Sequence, residues 1–395
     1  MKTSKMVVAT TALVVAGTFV VALLGDFFLM KALEGSSDAP GRKAREIMAQ
    51  RYQSEDVQMI AQAKTDGYEQ RILMPLVIGK FPELRALGDR HKTAPLGLQA
   101  NTKVFLCNEG YGAQRITTDR FGFRNEDQVW DDASAELAIF GDSFIYGLCL
   151  PEAQTIAGQL SQRFSLRNMS FPGAHAVHYD AMIQTFIPVL NPDRAVLVFY
   201  ANDNLPGDKA AEYQEWFLGP NANLQAFFKD GATRQPAEVH AEFYETAKQV
   251  IAAQAAADAA RPNGFAARSI ARVKKVLGHA TFPATRQLLA SLAPVSKGLP
   301  ASVQSAMDSL GSLCEMPACS PLVVYIANSP FWDPDARAPQ FAADLSAYAG
   351  DTGLPFLDLT QNLGALGRDG YATAGIHLSP EGAKLVSDHI LDYFE

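Results

Sequence analysis

Residues 136–147 read ELAIFGDSFIYG. Leu137 to Phe140 are apolar without a break, the pattern of a short strand buried on both faces, and Gly141 ends it. The turn that follows places the hydroxyl of Ser143 where a strand gives way to a helix. A strand covered on both sides belongs to a parallel sheet between two helical layers, so further strands alternating with helices are expected.

Four more apolar runs fit: LRNMSF (166–171), AVLVFYAND (195–203), PLVVYIANS (321–329) and PFLDLT (355–360). Helical stretches separate them, among them AQTIAGQLSQRF (153–164) and FAADLSAYAG (341–350), with apolar residues three and four apart. The spacing predicts a five-stranded parallel α/β sheet over 131–395. One long interruption, at about 205–320, is Ala-rich and carries no convincing strand. HAEFYETAKQVIAAQAAADAA (240–260) and the basic RSIARVKKVLGH (268–279) predict a helical insertion, the second as a solvated face or a contact for anionic lipid. Upstream, 31–130 reads as a juxtamembrane and lead-in region. GRKAREIMAQRYQ (41–53) is helical and polar, and QRITTDRFGFRN (114–125) has the look of short strands and turns.

In such a sheet the ligand crevice lies outside the carboxyl ends of the strands, so residues that follow successive strands should converge there. Ser143 follows the first. Gly173, in SFPGAH after the second, can offer a backbone N–H at close approach, and Asn202, in FYANDN after the third, can donate from its amide. Near the carboxyl terminus His377, in GIHLSPEG, supplies an imidazole able to take the serine proton and return it to a leaving group. Together they outline an acyl-transfer site with Ser143 and His377 catalytic and Ser143, Gly173 and Asn202 as an oxyanion hole. His175 and His178 suggest a metal pair by spacing, but with no further ligand nearby they read better as surface or cleft histidines. No metal and no cofactor is expected. Trp216, Phe217, Phe227 and Phe228 read as core aromatics or as a sugar-stacking platform.

The order Ser143, Gly173, Asn202, His377, with FLDLT and HLSPEGAKLV behind it, resembles the SGNH (GDSL) hydrolase superfamily. TDRFGFRN (118–125) is similar to the lead-in that precedes the GDS block in membrane-linked members. The resemblance implies a flavodoxin-like three-layer sandwich and a serine esterase working through a Ser143 ester. It suggests O-acyl groups, acetyl above all, on envelope or extracellular carbohydrate. A polysaccharide O-acetyltransferase, a non-catalytic binding or assembly subunit and a lipase are the alternatives. One departure stands out: the family carries Asp three residues before the His, and here that position is Ala374. A backbone carbonyl or another acid can orient His377, with Asp369 and Asp358 as candidates, or the site works as a slow Ser–His dyad or is degenerate.

The amino terminus fixes the expected location. Met6 to Leu24, MVVATTALVVAGTFVVALL, is uncharged over 19 residues, long enough to cross a hydrocarbon core of about 30 Å. Lys2 and Lys5 before it predict a cytoplasmic N-terminus and a periplasmic or extracytoplasmic domain after about residue 30, held in the bilayer by 6–24. A cleaved signal peptide is the competing reading. The four cysteines suit an exported chain: Cys314 and Cys319 are near enough in sequence to bridge locally, and Cys107 and Cys149 can form a second pair. A net charge of −8 argues against nucleic acid as partner.

Overall fold

The computed structural model describes residues 59–204, 235–260 and 298–395, apart from 79, 92–93, 132–133, 316–317, 330–331 and 333–337, together with 21, 22, 24–26 and 28. Most of the apolar run 6–24, the helix expected at 41–53, the basic segment 268–279 and the four aromatics of 216–228 fall outside them. Among the described residues no helix is long and apolar enough to cross a membrane. The chain divides into two compact units. Met48–Gln254 with Lys297–Glu395 holds both sheets and the site described below.

This unit begins with a small three-stranded sheet: β1 (Glu69–Gln70), β2 (Lys103–Phe105) and β3 (Arg115–Thr117), with helix α1 (Pro82–His91) between the first two strands. β2 and β3 form an antiparallel hairpin, continued by Leu106 and Cys107 pairing with Gln114. Its tip therefore consists of residues 108–113.

Five parallel strands follow: β4 (Leu137–Gly141), β5 (Leu166–Ser170), β6 (Arg194–Tyr200), β7 (Ser320–Ile326) and β8 (Phe356–Asp358). Their order in the sheet is β5-β4-β6-β7-β8. All of β4 and β5, and all but the first residue of β6 and β7, are buried, as a sheet covered on both faces requires. The helices are α2 (Ser143–Tyr146), α3 (Ile156–Leu160), α4 (Ala176–Leu190), α5 (Gln235–Ala260), α6 (Ala301–Leu313), α7 (Ala338–Thr352), α8 (Thr360–Leu366) and α9 (Pro380–Phe394). α4 packs on α6 and α6 on α7, whereas α3 and α8 pack on α9, giving two groups of covering helices.

Two boundaries differ from expectation. α6 lies inside the segment read as an insertion, yet it packs on α4 and on β6 and β7, so it is a helix of the sandwich. The described part of the lead-in falls in the same compact unit as the sheet. α5 is packed against that lead-in: Glu242 pairs with Arg90 and with His91 at 2.8 Å, Lys248 with Glu69 at 2.8 Å, and the Tyr244 hydroxyl donates to the Gly97 carbonyl.

The segment TDRFGFRN welds lead-in to sheet. Asp119 accepts from the amides of Phe121 and Phe123, from Asn125 Nδ2 and from Trp130 Nε1, all within 2.8–2.9 Å. That folds the segment into a tight turn, in which Gly122 has φ +84° and any Cβ would strike the Leu98 carbonyl. Asn125 then pairs with β5 through both backbone groups of Asn168, at 2.9 and 3.0 Å. β5 is one of the two edge strands, so this side chain pairs backbone groups on an open edge.

Candidate active site

Ser143 opens α2 directly after β4, with Asp142 as its N-cap accepting from the Phe144 amide at 2.9 Å. The one-turn helix stops at Gly147, left-handed at φ +67°, where a Cβ would collide with Thr155. Arg124, only 4% exposed, seals this elbow from the far side. Its guanidinium donates to the carbonyls of Tyr146 (3.1 Å), Gly147 (2.7 Å) and Leu150 (2.9 Å) and pairs with Glu152. These are carbonyls at and just beyond the C-terminal end of α2, which a planar five-donor cation suits better than an ammonium.

His377 precedes α9, whose start is set by Ser379 as N-cap and Pro380 in the first turn. Its Nε2 lies 2.9 Å from Ser143 Oγ, and Phe144 packs against the imidazole with ring centroids 5.0 Å apart. On the other ring nitrogen sits an acid that the sequence reading missed. Glu109 Oε1 lies 2.8 Å from His377 Nδ1, and Oε2 accepts from the His377 amide at 3.4 Å. A carboxylate only accepts, so Nδ1 carries the proton and Nε2 presents its lone pair to the serine hydroxyl. Glu109 and His377 side chains are just 15% and 10% exposed.

Asp369 is therefore not the acid on His377. Its backbone carbonyl accepts from Ser379 Oγ and its side chain lines a neighbouring cavity. Asp358 caps α8 through the Thr360 amide at 2.8 Å. Glu109 comes instead from the tip of the β2–β3 hairpin, 268 residues upstream. Two features at Ala374 and Gly375 admit it. The Ala374 amide donates to the Glu109 carbonyl at 3.1 Å, and a Cβ on Gly375 would lie 1.9–2.3 Å from the Glu109 carboxyl atoms. The pairing Cys107–Cys149 was the available signal, since it ties a residue two before Glu109 to one six after Ser143.

The other expected residues lie after the expected strands. Gly173 follows β5 with φ +79°, and Asn202 lies in the single turn after β6 with its Oδ1 buried. Two buried acids adjoin site residues in sequence, Asp203 beside Asn202 and Asp142 beside Ser143. Asp203 accepts from Tyr179 Oη at 3.0 and 3.2 Å and from the Tyr200 amide at 3.0 Å; burial, and then the nearby Asp142, push its pKa well up. Burial raises Asp142 to about 6, although the Phe144 amide and His377 favour its ionised form. His178, read as a surface or cleft residue, is buried. Its Nδ1 accepts from the His175 amide at 3.0 Å, its ring meets the Phe171 ring edge to face, and burial lowers its pKa to about 3.

Glu109, Cys149 and His377 offer ligand atoms within 4.8 Å of one another. The Cys149 sulfur is bonded to Cys107, so it is no thiolate, and the cluster reads as a carboxylate–imidazole pair with a disulfide against it. Cys314 and Cys319 form the second disulfide.

A five-stranded parallel sheet in this order, with serine after its first strand and the histidine just before the last helix, fits the α/β fold expected from the SGNH (GDSL) resemblance. Among solved structures the chain is similar to TesA, at 13% identity with a TM-score of 0.35, over 65% of this chain and 96% of that one. It is also similar to a member of the lipolytic protein G-D-S-L family from Veillonella parvula DSM 2008, at 11% identity with a TM-score of 0.34, over 65% and 97%. No family model and no curated protein matches the chain.

Proposed function

We propose that this chain is a membrane-anchored, exported serine ester hydrolase that forms an acyl-enzyme on Ser143, with Glu109 in place of the usual family aspartate. The observation that carries the reading is the continuous line from Ser143 Oγ through both nitrogens of His377 to Glu109, at 2.9 and 2.8 Å. As Oγ attacks an ester carbonyl, its proton passes to Nε2, and Glu109 stabilises the imidazolium through Nδ1–H. The amides of Ser143 and Gly173 and the Asn202 side chain receive the oxyanion. His377 then protonates the leaving alcohol, and water releases the acyl group.

Acetyl or other short acyl esters of carbohydrate are the proposed substrates. In support, a cavity of about 550 Å³ adjoins the Glu109 and His377 loops, lined by Tyr111, Trp332, Arg368, Asp369, Ser329 and Glu381 among others. Three aromatic residues, Tyr111, Trp332 and Tyr371, among charged and hydroxyl groups suit a sugar better than an alkyl chain. The test is turnover of p-nitrophenyl acetate and of an acetylated xylo-oligosaccharide by the detergent-solubilised full chain. Activity on both that is abolished in Ser143→Ala and in His377→Ala is expected. Wild-type rates no higher than the variants' would overturn the hydrolase reading.

A further inference from the structure

The acid of this site is carried on a hairpin of the small sheet, not on the strand or loop that carries histidine or serine. A hairpin tip needs local anchors to hold a carboxylate within a few tenths of an ångström of an imidazole, and three are visible. Asn108 Oδ1 accepts from the amides of Gly110 and Gly112 at 2.9 and 3.0 Å, which shapes the tip. The Ala374 amide donates to the Glu109 carbonyl. The Cys107–Cys149 bond joins the hairpin covalently to the nucleophile elbow across 42 residues of sequence.

The disulfide also lies against the pair it would position. The Cys149 sulfur lies within 4.8 Å of both a Glu109 carboxylate oxygen and a His377 nitrogen. Cys149 is buried and held at φ +68°, a left-handed conformation that a non-glycine residue keeps only when its surroundings impose it. Arg124 fixes the residues on both sides, at Gly147 and Leu150. The elbow is thus a rigid post, and the disulfide fastens the hairpin to it. Gly375 leaves the space into which the carboxylate reaches.

We propose that Cys107–Cys149 and Gly375 are the positioning device for Glu109, so that the triad is complete only in the oxidised chain. This deepens the acyl-enzyme reading and rests on it, and makes oxidative export a condition of full activity. A dithiol reverses it in balanced form: two electrons and two protons convert the S–S bond to two thiols, and the reductant leaves as its own cyclic disulfide.

The experiment compares the full chain, oxidised and after dithiothreitol, in p-nitrophenyl acetate turnover and in the downfield proton NMR of the imidazole Nδ1–H held by a carboxylate. Reduction is expected to lower kcat about tenfold or more with little change in KM, and to remove the downfield resonance. In Glu109→Gln, already slow, reduction should change kcat less than about twofold, because the group it releases is gone. Gly375→Ala should mimic reduction in the oxidised chain, and Cys314→Ser/Cys319→Ser should keep both the rate and the resonance. A reduced wild type that retains its rate and its downfield proton overturns the proposal. If the oxidised chain shows no Ser143-dependent turnover, the hydrolase reading fails instead, and the proton resonance still decides whether the disulfide positions Glu109.

Discussion

Ala374 stands three residues before His377, where the sequence resemblance leads one to expect an aspartate, and its amide donates to the carbonyl of Glu109, the acid proposed to act in that aspartate's place, at 3.1 Å. An aspartate at 374 would start from the residue that already touches the Glu109 backbone. Glu109→Ala should therefore lower kcat on p-nitrophenyl acetate by about 10²- to 10⁴-fold, the range in which the acid of a serine triad acts, and adding Ala374→Asp should recover a large part of it. Steady-state kinetics of the single and double variants check this. An unimpaired Glu109→Ala would show that Ser143 and His377 suffice as a dyad. The sequence showed the vacancy at 374 and the chemistry demanded of its substitute. It did not show the substitute, because the relevant distance is between a hairpin tip and a loop 268 residues apart, and nothing in local pattern encodes that. Asp369 was nearer in sequence, yet it lines the adjoining cavity, and the acid on His377 Nδ1 is Glu109.

At the scale of elements, strands were legible because burial on both faces leaves a nearly unbroken apolar run, which is how β4, β6 and β7 were located to within a few residues, whereas β5 buries Arg167, Asn168 and Ser170 among its five residues. α6 was not singled out, since an amphipathic helix inside an Ala-rich stretch looks like the rest of it. The lead-in motif was recognised without its purpose, which is structural and exact in its donors and acceptors: Asp119 folds the turn, Asn125 closes the edge of β5, and Arg124 satisfies three carbonyls of the nucleophile elbow. Removing that guanidinium takes a donor from each of these acceptors, of which Gly147 keeps the Leu150 amide at 3.1 Å. Arg124→Ala is expected to cost on the order of 3 kcal/mol in urea unfolding and to lower kcat as well, because α2 carries Ser143. Arg124→Lys should rescue little, as one ammonium cannot reach three divergent carbonyls. Full stability and activity in the alanine variant would remove Arg124 from the elbow's support.

Over the whole molecule the buried ionisable groups work against one another as pH falls. Burial raises Asp119 and Asp142 to about 6 each, so their ionisation weighs against folding above that pH and is relieved as they protonate between about 6 and 4. Burial lowers His178 to about 3 and His240 to about 4. A base depressed in the folded state binds its proton preferentially when unfolded, so its contribution is full above pH 6.5 and is lost as pH falls from there towards the folded value. The two sets overlap and partly cancel, which makes the total profile uninformative about either. A difference between variants isolates one group. His178 titrates from an ordinary value of 6.5 to about 3, so at about pH 5 it should cost about 2 kcal/mol relative to neutral pH. His178→Gln keeps an acceptor for the His175 amide and does not titrate. Urea unfolding at about pH 7.5 and about pH 5 should show the wild type losing about 2 kcal/mol more than the variant over that interval, with His240 and the acids common to both. Equal losses would mean that His178 takes up its proton in the folded chain, and that the start of α4 opens to admit the charge.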